Sequence, residues 1–398
     1  MRSLLAIVFL ILAPLPAVAA SSIHQLAELT PSIRADQDSF GYAIAVSEDT
    51  VVVSEFHHVV DPYGAVYVYV KPASGWTNMT QTAKLTPSDA PSFFGTSVAI
   101  DGDIVVVGAV NPTGGVQGAV YVFVKPATGW QDMTETAKLV ASDGLYGDGF
   151  GESVSISHGT IAIGAPFVNN NTGRAYVYTW QGTTWKEAAE IIASNIAEKA
   201  YFGYSVGISG SAVVSGAYGR ANNSGAVYVY VEPADGWKSM TETAELTAPS
   251  TFSSLGLGWS VGISGNTIVA GAPWGRHVSG LAYVYVEPPG GWISTFHYTA
   301  KLGPPDSTTS ASFGQDLAVG DDGLAIVVGA QAQGGSGAAY ILGEPEAGWA
   351  HVKHALEITS SDGKELDFFG GCVGISGTTV VAGAPAVYTP GTAYVFGP

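Results

Sequence analysis

Only a few residues of this 398-residue chain combine types and spacings that could do chemistry. His57 and His58 stand close to Asp61, donor types that a transition metal takes. Neighbours on an extended segment point to opposite sides, however, so the pair reads better as a solvated loop. Trp274, Arg276 and His277 place an indole face, a guanidinium and an imidazole within four positions, a set that suits a sugar or peptide platform. Acidic pairs occur at Glu48 and Asp49, at Asp101 and Asp103, and at Asp321 and Asp322. Two carboxylates fall short of the roughly six to eight oxygen ligands that Ca²⁺ requires. Cys372 is the only cysteine, has no histidine near it in sequence, and reads as a small buried apolar side chain. No Gly-x-Ser-x-Gly nucleophile elbow is expected, no His-Glu-x-x-His or phosphate-loop motif is present, and no catalytic residue is assigned.

The elements that must position these residues are set by a repeat. Phe-Gly recurs at Phe40, Phe94, Phe150, Phe202, Phe313 and Phe369, with Leu257-Gly258 as an aliphatic substitute, in steps of 54, 56, 52, 55, 56 and 56 residues. A regular period of this length overrides the length prior of two or three domains, because one unit cannot bury its apolar face alone. Hydrophobic residues make up 46% and charged residues 12%, with 52 glycines, a profile of short strands and tight turns.

In the second unit, strands are expected over 97–100 and 104–107 around the turn Asp101-Gly102-Asp103, then over 119–124 and 136–139. Each unit is therefore a four-stranded meander. Some spacings are fixed: the Tyr of the third strand precedes a Trp by nine residues in six units, from Tyr67 and Trp76 to Tyr340 and Trp349. We expect these rings to fill the gap between neighbouring sheets. The loop between second and third strands varies in length and composition, so it obeys another constraint. The last unit ends after its third strand, whereas Leu26-Ala27-Glu28-Leu29 matches Thr136-Ala137-Lys138-Leu139. The N-terminal segment is thus expected to supply the outer strand of the last blade and close a ring, which removes exposed edges.

Residues 1–20 read as a secretory signal peptide: Arg2, the apolar run from Leu4 to Leu12, and Ala17-Val18-Ala19 as the cleavage site. A secreted or extracytoplasmic location, in the periplasm or at a cell surface, follows as an expectation. No later apolar run approaches the ~20 residues of a membrane span. The net charge of −18 with scattered Lys and Arg argues against nucleic acid and anionic membranes as partners.

The repeated words, Phe-Gly, then Gly-Ala-Pro at Gly164, Gly271 and Gly383, then Gly-x-Ala-Tyr-Val-Tyr, resemble the FG-GAP repeat of the integrin α-subunit propeller and its secreted relatives. The resemblance spans residues 21–398 and implies an all-β, seven-bladed β-propeller of four-stranded antiparallel blades. In integrin-like members the hairpin between the first two strands is longer and carries a calcium loop. Here it is Ser209-Gly210-Ser211, Ser264-Gly265-Asn266 or Ser376-Gly377-Thr378. Calcium is therefore not carried over, and no cofactor is expected.

The resemblance also implies that ligands use the face carrying the second-to-third and fourth-to-first loops. On that face we single out His57, His58, Tyr63, Phe167, Tyr218, Arg220, Trp274, Arg276, His277 and Tyr388, because aromatic residues and Arg dominate contact surfaces. The reading is a non-enzymatic binding or adhesion module for a protein or cell-surface partner. A lectin-like carbohydrate binder is the alternative, and a secreted hydrolase or lyase ranks below both.

Overall fold

The computed structural model describes residues 23–34, 39–56, 64–89, 91, 93–110, 117–249, 254–275, 279–304, 311–352, 355–386 and 390–398. They form seven antiparallel four-stranded sheets arranged as a ring, with strands lettered a to d outward from the axis. In blade 2 these are Phe94–Asp101, Ile104–Ala109, Ala119–Val124 and Ala137–Leu139. The seven a strands touch one another in a closed cycle and line a central channel.

Blade 7 takes a, b and c from Val373–Ser376, Thr379–Ala384 and Thr392–Gly397, and d from the N-terminal strand His24–Thr30. Leu29 pairs with Ala393 and Glu28 with Tyr394, antiparallel. The ring is closed by the two ends of the chain, as the match between the Leu26 and Thr136 segments implied. The expected signal peptide, residues 1–20, lies outside the described residues.

The strands are hydrophobic on both faces because each blade is sandwiched between two others. Strand c of blade 1, Ala65–Val70, has five of its six residues buried. Its Tyr67 and Tyr69 pack with Leu29 and Val395 of blade 7, whereas Val66 and Val68 pack with Phe94 and Trp130 of blade 2. The column Trp76, Trp130, Trp185, Trp237, Trp292 and Trp349 is at most 9% exposed. These rings therefore fill the spaces between sheets.

Three further devices tie blade to blade. A Met-Thr pair at the start of the d segment bridges, in parallel, to the outer strand of the preceding blade: Met79 to Leu29, Met133 to Leu85 and Met240 to Ile191. On the hairpin face, Ser47, Ser157 and Ser209 Oγ accept the amide N–H of Gly102, Gly210 and Gly265 in the next blade. On the opposite face the chain before strand c bridges to the next Phe-Gly, as Gly173 to Phe202 and Gly280 to Phe313.

Candidate functional site

The Phe-Gly unit sets the channel mouth residue by residue. The Phe (or Leu257) is at most 1% exposed, and each Phe ring packs tilted or edge-on against the Tyr of strand c, as Phe94 edge-on with Tyr121 at 5.5 Å between ring centres. The Gly has positive φ, and the Gly of the Gly-Ala pair beside it leaves no room for a side chain. A Cβ built on Gly164 would lie 1.8 Å from the carbonyl oxygen of Gly203 in the next blade. Three residues after the Phe stands a hydroxyl that locks this contact: Ser97, Ser153, Ser205 and Ser260 donate to the carbonyls of Gly151, Gly203, Gly258 and Gly314 at 2.8–3.0 Å. Cys372 occupies the same position and donates its thiol to Gly41 O at 2.9 Å. Burial pushes its pKa well above the usual thiol value, so it acts as a structural donor as well as a buried filler. Blade 1 inverts the arrangement. Ala43 replaces the Ser, Ser54 replaces the Gly of Gly-Ala, and Ser54 Oγ accepts from Ala43 N–H at 2.9 Å. The hydroxyl has moved across the ladder from strand a to strand b.

Between these fixed points one position is free. The residue directly after Phe-Gly is Tyr42, Thr96, Glu152, Tyr204, Trp259, Gln315 or Gly371, and all seven line the channel mouth, a cavity of about 320 Å³. The residue directly before the Phe is also special: Ser39, Phe93, Gly149, Tyr201, Gly256, Ser312 and Phe368 all have φ between 50° and 73°. Left-handed backbone costs about 1–2 kcal/mol for a residue with a Cβ. It is enforced here by the loop of the preceding blade, where Asn171 and Thr172 carbonyls accept the amides of Tyr201 and Phe202. Those loops in blades 3 and 4 make a left-handed turn at Asn169 to Asn171 and at Ala221 to Asn223, a conformation Asn tolerates better than most residues.

The result is an aromatic belt in two groups of touching rings. Tyr201 stacks on Tyr218 at 4.8 Å and 6° between planes, Tyr218 lies 4.7 Å from Tyr204 and 4.9 Å from Trp259, and Trp274 lies 5.2 Å from Trp259 and 5.4 Å from Tyr218. Phe167 meets Tyr201 edge-on at 6.3 Å. Across the mouth Tyr42 stacks on Phe56 at 4.3 Å and Phe56 on Phe93 at 5.3 Å. Glu152 sits between the two groups. Burial pushes its carboxyl up to about 7, and Tyr42, Tyr204 and Tyr218 feel its charge. Lower in the channel, burial raises Asp316 to about 6 although its carboxylate accepts the Val373 N–H.

Of the sequence-predicted residues, Phe167, Tyr218 and Trp274 join this belt. Arg220 turns away from it and pairs with Glu245 at 2.6 Å. His57, His58, Tyr63, Arg276, His277 and Tyr388 lie outside the described residues. Sequence reasoning missed Tyr42, Glu152, Tyr204 and Trp259, which follow a motif treated as scaffold. Their signal was a fixed offset whose residue type changes from blade to blade. The expectation of no Gly-x-Ser-x-Gly elbow needs correcting at the level of sequence, because two such words stand at Gly203 to Gly207 and Gly258 to Gly262. In a nucleophile elbow the Ser sits on a strand-to-helix turn. Here Ser205 and Ser260 enter inner strands and spend their hydroxyls on glycine carbonyls, and no histidine lines the channel among the described residues.

The hairpin acids of the other face are engaged locally. Asp49 pairs with Lys71 at 3.2 Å and Asp103 with Lys125 at 2.9 Å. Asp101 accepts the His158 amide, and Asp321 accepts Ser376 Oγ. No cluster of three or more metal-ligating side chains occurs among the described residues.

The FG-GAP repeat family model matches seven segments, 23–69, 79–123, 133–178, 185–230, 240–285, 296–342 and 354–396. The chain belongs to the FG-GAP repeat family. No curated protein matches it. Among solved structures it resembles Sqt1 from Chaetomium thermophilum, with a TM-score of 0.52, 15% identity, and coverage of 90% of this chain and 81% of that one. It also resembles a putative 6-phosphogluconolactonase from Bacteroides uniformis, with a TM-score of 0.54, 11% identity, and coverage of 81% and 86%. At these identities the likeness concerns the fold. No helix among the described residues is long and apolar enough to cross a membrane.

Proposed function

We propose that this propeller is a secreted or extracytoplasmic, non-enzymatic binding module that seats its ligand on the channel mouth and the loops around it. The observation that supports this most is the aromatic belt. At least Tyr201 and Phe93 are held in left-handed backbone that glycine would adopt at lower cost, and strain retained in this way is a pointer to function. In this reading the likeness to integrin α-subunit propellers extends to the use of this face for a protein or cell-surface partner. A carbohydrate ligand is the second reading, supported by the Tyr and Trp faces at Tyr218, Trp259 and Trp274, which offer flat apolar platforms with polar edges.

The test is binding of the purified protein to a glycan array and to a panel of extracellular surface proteins. The Tyr218→Ala/Trp274→Ala variant should lose the signal, and an Asp103→Ala/Lys125→Ala variant on the opposite face should keep it. Equal binding by both variants would overturn the assignment of the face.

A further inference from the structure

The two halves of the aromatic belt differ. On one side Tyr42, Phe56, Phe93 and Phe167 wall a cavity of about 230 Å³ together with the Glu152 side chain. That volume is below the ~300–1,000 Å³ of sites for drug-sized ligands, so the cavity suits one small group. Its walls are mainly apolar, and the Glu152 carboxylate has no hydrogen bond or ion pair to any described residue. By contrast, the buried Glu55 accepts from Tyr67 Oη at 2.6 Å, and the Asp316 carboxylate accepts the Val373 amide at 2.8 Å. No Lys, Arg or His lines this cavity or the channel mouth among the described residues.

We infer that this cavity binds an organic cation, an alkylated ammonium group, with Glu152 as counter-ion and the rings of Tyr42, Phe56 and Phe93 packed around its alkyl surface. The inference rests on the proposed use of this face. Ring faces carry negative electrostatic potential, so they attract a cation while burying its methyl groups. An inorganic divalent cation would find a single carboxylate where it needs several oxygens. A sugar would find few polar partners, since Thr96, Glu152 and the Tyr42 hydroxyl are the only polar side-chain groups in the wall among the described residues. The electrostatics of Glu152 agree with this assignment. Burial raises the Glu152 carboxyl to about 7, the behaviour of a group whose charge lacks compensation. A bound cation would supply that compensation.

The probe is choline chloride, titrated into the purified protein by calorimetry. Its neutral carbon isostere 3,3-dimethylbutan-1-ol and sodium chloride serve as controls. Saturable choline binding is expected, at least about tenfold tighter than the isostere, and weakened about tenfold or more in Glu152→Gln. Phe56→Leu keeps an apolar side chain without a ring, so it should weaken choline more than the isostere. Thermal melts confirm that each variant folds. Equal binding of choline and isostere, wild-type affinity in Glu152→Gln, or no saturable choline binding would each overturn the inference. The two readings fail separately. An array signal that disappears in Tyr218→Ala/Trp274→Ala, with no choline binding, leaves the face and removes the cation. An array signal unchanged in that variant removes the face, whatever choline does.

Discussion

Closure of the ring by the N-terminal strand makes a quantitative prediction at Leu29. This residue is 0% exposed and packs with Phe40, Tyr67, Tyr69 and Trp76 across the seam between blades 7 and 1. Leu246 is its counterpart in blade 4: both precede the Phe or Leu of the next blade by 11 residues, and Leu246 is also 0% exposed. Truncating a fully buried Leu to Ala costs about 2–5 kcal/mol, according to how far the surroundings relax. The two sites have equivalent neighbours by repeat, with Leu257, Tyr283, Tyr285 and Trp292 around Leu246 and Leu257 standing where Leu29 meets Phe40, so both variants should lose about 3 kcal/mol and agree within about 1 kcal/mol. Urea unfolding followed by tryptophan fluorescence reads the difference, provided wild type and variants show the same slope. A frayed seam would behave differently, because a strand already detached loses nothing when its Leu is removed. A cost at Leu29 below about a third of that at Leu246, or a separate early transition in the wild type, would refute closure on these terms.

Four further outcomes follow from the geometry. Gly164→Ala must displace the Gly203 carbonyl and the Ser153 hydroxyl, 1.8 and 2.4 Å from the new methyl, and should cost about 1–3 kcal/mol. Gly210→Ala, where a methyl meets open space at φ 54°, should cost about 1 kcal/mol from backbone strain alone; equal costs in urea melts would contradict the interblade contact. Cys372→Ser should be tolerated to within about 1 kcal/mol, because a hydroxyl there can donate to Gly41 O as four other blades do, and Cys372→Ala should be worse in the same thermal melt. Glu152 has a folded pKa of about 7, above the ~4.3 of an unfolded glutamate, so the folded state holds the extra proton and stability falls as pH rises from about 4.5 to 7. Glu152→Gln should therefore match wild type near pH 4 and be more stable at pH 8, and a pH-independent difference in melting temperature would refute the perturbed carboxyl. The groups facing it, Tyr42, Tyr204 and Tyr218, have raised values and stay neutral across this range.

The fold was legible because repetition exposes its constraints. Phe-Gly, the Tyr-to-Trp spacing and the orphan Leu26–Leu29 strand each occupy one place in a blade, and packing between sheets holds every copy at the same offset. The site was legible only where it uses loops. Phe167, Tyr218 and Trp274 stood out as aromatic residues in variable segments, and they reach the belt. Arg220 looked the same in sequence, but its pairing with Glu245 depends on a strand about 25 residues away, which no local pattern announces. Tyr42, Glu152, Tyr204 and Trp259 were hidden for the opposite reason. They sit inside the most regular word of the chain, and its regularity suggested scaffold. The physical cause is the channel itself: the residues on either side of the free position are fixed by Gly–carbonyl contact and Ser hydrogen bonds, while the position between them faces the channel and no interblade backbone contact fixes its type.

That difference gives the most direct test of the central claim, that the free position after Phe-Gly builds the ligand site. A Tyr42→Ala/Tyr204→Ala/Trp259→Ala variant should retain the melting profile of a closed propeller and lose binding to whichever array component the wild-type protein captures. Capture at wild-type strength by that variant would contradict the account.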